Sequence, residues 1–171
     1  MPAQPSPEQG YRGPTVCKLV GISYRQLDYW ARTNLVTPSV RAADGSGSQR
    51  LYGFGDLVEL RIIKRLLDAG VSLQRIREAI AYLRAGTPGG SVADLTLMSD
   101  GSHIYACHSG EEVIDVLAKG QAVFGIAVGR VIEDTEGDVA LLPSGERVDE
   151  AGEAGSVAAE ARANRVPRTG S

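Results

Sequence analysis

Leu19-Val20-Gly21-Ile22-Ser23-Tyr24-Arg25-Gln26-Leu27-Asp28-Tyr29-Trp30 is the stretch on which the reading of this 171-residue chain turns. Gly21 ends one helix, and Ser23 opens the next, with Gln26 three residues on completing a capping box. Leu27, Trp30 and Ala31 recur at helical spacing and so form the inward stripe of the second helix, which Asn34 closes. Thr15 is the expected N-cap of the first helix, Val16 to Val20. Two helices joined by a tight glycine turn are the layout of a helix-turn-helix.

Downstream, Pro38-Ser39-Val40-Arg41 and Gln49-Arg50-Leu51-Tyr52 flank a polar loop containing Gly45 and Gly47, which reads as a β-hairpin wing. Asp56 with Glu59 makes a second capping box, opening a helix to about Ala69 with the stripe Leu57, Leu60, Ile63, Leu66 and Leu67 and a stop at Gly70. Ser72 caps a fourth helix, to about Arg84, that turns Leu73, Ile76, Ile80 and Leu83 inward.

The chain is expected to divide into a flexible leader (1–13), a DNA-binding domain (14–85), a linker (86–93), a small α+β module (94–142) and a disordered tail (143–171). In the module, Asp94 to Met98 and His103 to Cys107 read as a hairpin around Ser99-Asp100-Gly101-Ser102. Ser109 with Glu112 caps a helix ended by Gly120, Val123 to Val131 reads as a β-rich run, and Val139 to Leu142 as a further strand.

Charge is distributed unevenly. Residues 11–85 carry 12 Lys/Arg against 6 Asp/Glu, a net of +6, while residues 86–171 carry 6 against 14, a net of −8. Only the first half is therefore suited to a polyanion. With 43% hydrophobic residues the chain can build a core, and no apolar run reaches membrane-spanning or signal-peptide length. Two cysteines, Cys17 and Cys107, fit a reducing compartment, so the expected place is the cytoplasm, at the nucleoid.

The second helix of a helix-turn-helix enters the major groove with its N-terminal side chains nearest the bases. Ser23, Tyr24, Arg25 and Gln26 hold those positions. Arg25 can pair with guanine or clamp a phosphate, Gln26 can reach adenine unless capping turns its amide back, and the Tyr29 hydroxyl suits a phosphate. Arg41 and Arg50, on the wing, are placed for the backbone or minor groove. Any one exposed arginine is usually only solvated, so the argument rests on one duplex being able to reach them all.

Val16 to Leu83 resembles the DNA-binding domain of the MerR family of transcriptional regulators, of an actinobacterial kind. The resemblance is carried by Leu19-Val20-Gly21-Ile22-Ser23, Arg25-Gln26-Leu27-Asp28-Tyr29-Trp30, Leu35-Val36-Thr37-Pro38, Gln49-Arg50-Leu51-Tyr52, Asp56-Leu57 and Leu66-Leu67-Asp68-Ala69-Gly70-Val71-Ser72-Leu73. It implies an α+β chain with an N-terminal winged helix-turn-helix, DNA contacts from Arg25 and Tyr29, and Arg50 and Tyr52 on the wing. Asp28 stands where the family commonly carries arginine, which removes one implied phosphate contact.

The chain departs from the family after the fourth helix, where Gly86 to Gly90 replaces the start of a long coiled-coil helix. Val123, Phe124, Ile126, Val128 and Val131 are then either the module's own core or its dimer interface. His103, Cys107 and His108 are too few and face different ways on a strand, so they read as a packed cysteine and surface histidines rather than a metal site. No catalytic triad, phosphate loop or hydrolase spacing occurs. The expected function is a promoter-binding regulator acting as a homodimer on double-stranded DNA, with RNA polymerase as a further partner, no membrane, no cofactor and no catalysis. The rival readings are an architectural nucleoid protein and a ligand-sensing α+β domain with a DNA-binding appendage.

Overall fold

The computed structural model describes residues 9–41, 50–86, 92–120, 122 and 124–148. The expected wing-tip loop (42–48), most of the leader and linker, and the tail from residue 149 lie outside them. In chain order the elements are β1 (Gly10–Arg12), α1 (Gly13–Val20), α2 (Tyr24–Arg32), β2 (Leu51–Tyr52), α3 (Phe54–Asp68), α4 (Leu73–Ala85), β3 (Thr96–Ser99), β4 (Ile104–Cys107), α5 (Gly110–Ala118), β5 (Phe124–Ala127), α6 (Val128–Ala140) and β6 (Arg147–Val148). Two compact units result, one from Met1–Leu57 with Glu136–Ser171 and the other from Val58–Thr135. The division therefore falls inside α3 and α6.

In the first unit, β1 is the centre of a three-stranded antiparallel sheet, with Tyr11 opposite Tyr52 on β2 and opposite Arg147 on β6. Both ends of this sheet correct the sequence reading. Gly10 to Arg12 is strand rather than leader, because the Tyr11 ring is fully buried and two flanking strands satisfy the backbone around it. Arg147 and Val148 are strand rather than disordered tail, and Val148 is buried. Neither piece has the length to show a period, so only the pairing identifies it. The first helix also starts earlier than expected, at Gly13 with Pro14 in its first turn, and Thr15 is a buried residue inside it rather than its cap.

Gly21 ends α1 in the left-handed region (φ 80°) and its N–H donates to the Cys17 carbonyl at 2.8 Å. Ser23 caps α2, its hydroxyl accepting from the Gln26 N–H at 3.1 Å. Leu27 and Trp30 are buried as their spacing requires, and Asn34 takes the positive φ that ends the segment. Among the described residues the wing contributes a bridge between Arg41 and Leu51 next to β2. Asp56 is not the cap of α3 but its third residue. Its carboxylate reaches back to the Gly53 N–H (2.8 Å) and also accepts from the Ser39 N–H (2.8 Å) and hydroxyl (2.7 Å). One buried carboxylate thus closes the helix start and pins the entry to the wing.

In the second unit, Ser72 caps α4, and Ile76, Ala79, Ile80 and Leu83 form its buried face. Leu73, expected inward, is half-buried. Glu59 makes no capping box and instead receives the Arg84 guanidinium at 3.1 and 2.8 Å. The 94–107 hairpin forms with Ser99 opposite Ile104, and β3 is the middle strand of the order β4-β3-β5. At its turn, Asp100 accepts from the Ser102 and His103 N–H groups, which holds its carboxyl down to about 2. Ser109 caps α5 with its hydroxyl on the Glu112 N–H.

Of the apolar run Val123 to Val131, Val123 lies outside the described residues and the rest splits: strand Phe124–Ala127, helix from Val128. The expected last strand, Val139 to Leu142, is the end of that helix and a turn. Val128, Val131, Thr135 and Val139 are buried at intervals of three and four, a helical period that a β-rich composition masks. Ile126, Val128 and Val131 are 3% exposed or less and Phe124 is half-buried, so these described residues of the run pack into the unit's own core. Among the described residues of the unit, the exposed large aliphatic side chains, Ile114 and Leu117, are on α5.

Candidate nucleic-acid interface

The start of α2 is the exposed corner of the first unit. Ser23, Tyr24 and Arg25 are exposed, Gln26 is half-buried, and Tyr29 one turn on is half exposed, while Leu27 and Trp30 anchor the opposite face. Tyr24 leans over Gly13, where a Cβ would come within 2.9 Å of the ring, so glycine there lets the side chain lie against the start of α1. The Ser23 hydroxyl is occupied by the helix cap, which leaves Arg25 as the α2 side chain best shaped to meet a base edge or phosphate.

Asp28 is the feature that the sequence alone did not expose. Its two carboxylate oxygens hold two arginines, Arg32 at 2.7 Å and Arg50 at 2.6 Å. Arg50 arrives from beside the wing, so Asp28 ties the residue entering β2 to α2. The bond from Arg50, helped by Arg32, holds the Asp28 carboxyl below the usual carboxylate range. A group lowered in this way gives its stabilisation above its unfolded value and loses it as pH falls through the folded one, so this clasp loosens only in acid. The three side chains together carry one net positive charge, not the two that the arginines alone would offer.

Residues 11–83 match the family described as the MerR HTH family regulatory protein. This segment resembles a MerR-family DNA-binding domain. Over 140 residues the chain is 55% identical to an HTH-type transcriptional regulator of Mycobacterium tuberculosis, a match covering 82% of this chain and 61% of that protein. It is 37% identical over 67 residues to the HTH-type transcriptional regulator HmrR of Sinorhizobium medicae (39% of this chain, 44% of that protein). With the HTH-type transcriptional regulator GlnR of Bacillus cereus it is 35% identical over 65 residues (38% and 47%). The chain thus spans about 61% of the length of the mycobacterial relative, and the two shorter matches are confined to a segment of MerR-domain size.

Within this MerR-like segment the sequence-derived contact set separates into three groups. Arg25, Tyr24 and Tyr29 stand together on the exposed face of α2, with the Ser23 hydroxyl taken up at its cap by the Gln26 backbone N–H and the Gln26 side chain half-buried. Arg41 is half-buried on the wing bridge, and Arg50 is held by Asp28. Tyr52 is a correction: it is 1% exposed, paired across the sheet with Tyr11, and has the geometry of a core residue. Its hydroxyl has no protein partner among the described residues, and burial pushes it up to about 12. Tyr52→Phe is therefore expected to leave DNA affinity unchanged and to alter stability by less than about 1 kcal/mol. Stability held by the neutral phenol is complete below pH 10 and falls as pH rises toward 12, so the same variant should flatten the alkaline limb of a stability–pH curve. A loss of DNA binding in Tyr52→Phe would restore the direct contact.

The remaining candidates for chemistry are accounted for locally. Cys107 is buried, which raises its thiol; His103 pairs with Asp100 at 3.2 Å, and the His108 ring lies 2.7 Å from the Tyr82 hydroxyl. Among the described residues no group of three His, Cys, Asp or Glu could hold a metal ion. No described helix is long and apolar enough to cross a membrane.

Proposed function

We propose that the protein is a sequence-specific transcriptional regulator that binds double-stranded promoter DNA as a homodimer, in the cytoplasm at the nucleoid, with RNA polymerase as its working partner and no catalytic step of its own. The observation that carries this reading is the exposed cluster Tyr24, Arg25 and Tyr29 at the start of the second helix of a MerR domain. Selection of binding sites from random duplexes, followed by footprinting, tests it. Two half-sites of defined sequence related by a two-fold axis support the regulator. Coating of DNA without sequence preference overturns it in favour of an architectural protein.

The Asp28 clasp changes what the wing contributes. Each phosphate neutralised steepens the logarithmic salt dependence by about 0.9. Arg50→Ala takes this three-residue cluster from one net positive charge to none and should flatten the slope by about one unit per protomer. Asp28→Asn should do the reverse, steepening the slope by about one unit and tightening binding to random DNA. Equal slopes for the wild type and Asp28→Asn would show that the released charge does not face the duplex.

A further inference from the structure

The terminal strand of the second unit lies in a trough that no described element fills. In the order β4-β3-β5, β4 (Ile104-Tyr105-Ala106-Cys107) pairs with β3 alone. Alternate residues of such a strand turn their N–H and C=O groups away from the partner, which leaves a free hydrogen-bonding edge. Proteins usually blunt edges of this kind with lysine, proline or a bulge. β4 has no charged residue and no proline, and its four residues pair one-to-one with β3 without interruption.

Two cavities run along this one strand. The first, of 370 Å³, is walled by Arg75, Ala79 and Tyr82 of α4 and floored by Ile104, Tyr105 and Ala106. The second, of 470 Å³, has the same three strand residues on one side and Glu112, Asp115 and Val116 of α5 on the other. Edge backbone between two helical walls is the arrangement into which an extended peptide adds as a further strand, its backbone giving affinity and its alternate side chains specificity.

Charge selects the occupant. On the α4 wall, Arg75 is neutralised by Glu78 at 3.2 Å. The α5 wall presents Glu112 and Asp115, and Asp115 has no ion pair among the described residues. We infer that the β4 edge is a docking slot for an extended, lysine- or arginine-bearing segment of a partner protein. Pairing of β4 with a second copy is disfavoured, since it would bring the Glu112 and Asp115 walls of both copies together.

The test uses the full chain, 15N-labelled, and a blocked octapeptide of alternating lysine with valine or threonine as the probe. The amide signals of Ile104 to Cys107 should move on titration, and the glutamate-for-lysine peptide should bind at least about tenfold more weakly, as loss of one or more charge pairs predicts. Peptides N-methylated one residue at a time should lose binding at alternate positions only, the signature of strand pairing. Asp115 is exposed, so Asp115→Lys should fold and should narrow or invert the preference between the two peptides. Shifts centred away from β4, equal binding of both peptides, or indifference to N-methylation overturns the proposal. Concentration-dependent changes at Ile104 to Cys107 without peptide overturn it by assigning the edge to a second copy.

Discussion

Asp56→Ala is expected to destabilise the protein by about 2–4 kcal/mol, because it strands several donors around one buried carboxylate. Asp56 accepts three hydrogen bonds at 2.7 to 2.8 Å, from the Gly53 N–H and from the Ser39 N–H and hydroxyl. The Gly53 bond is buried, so water does not simply replace the lost oxygen; Ser39 is exposed and is partly compensated by solvent. Urea denaturation of the wild type, Asp56→Ala and Asp56→Asn measures the effect, with asparagine recovering part of it through its single carbonyl oxygen. Ser39→Ala should cost about 0.5–1.5 kcal/mol, the worth of one such bond. A loss under 1 kcal/mol for Asp56→Ala would reduce Asp56 to an acidic residue in a first helical turn, worth about 0.3–1 kcal/mol through the helix dipole.

Arg25→Ala is expected to weaken binding to the selected operator by about 1–3 kcal/mol, or about 5- to 150-fold. Arg25 is exposed in the first turn of α2, and the arginine nearest to it in sequence on that helix, Arg32, is committed to Asp28. No other residue from Ser23 to Tyr29 is basic, so nothing on that turn can replace its charge. Arg25→Lys separates the two ways in which it can act. A bidentate contact to guanine is lost with lysine and discrimination between bases falls, whereas a phosphate contact survives and only the geometry suffers. The variant must be shown folded by its unfolding midpoint; an operator affinity equal to wild type at several salt concentrations would remove Arg25 from the interface.

Both predictions depend on residues that the sequence placed well but interpreted incompletely. Asp56 was legible as part of a capping box, since an acidic residue before an apolar stripe marks a helix start. Its position as the third helical residue, and its hold on Ser39, required the chain to bring residue 39 back over residue 53. Asp28 was legible only as an anomaly. A carboxylate on the helix proposed to meet DNA becomes intelligible once Arg50, 22 positions away, is seen bonded to it. Tyr52 was assigned to the wing surface by resemblance, while the register opposite Tyr11 turns it into the core.

Local chemistry alone determined the helix-turn-helix: the αL glycine at 21, the serine caps at 23, 72 and 109, and the buried stripe of Leu27 and Trp30 each act within one helical turn. It also determined the hairpin from Thr96 to Cys107, where turn residues and alternation agree. Tertiary structure decided whatever depends on a partner far along the chain. Gly10–Arg12 and Arg147–Val148 are strands only because each offers the other a hydrogen-bonding edge, and two- or three-residue segments carry no period of their own. Val128 to Val131 is helical although β-branched residues favour strands, because that geometry buries Val128, Val131 and Thr135 together. The charge available to DNA was likewise set by folding: the count of arginines is in the sequence, but which of them Asp28 neutralises is settled by the return of the chain at Arg50.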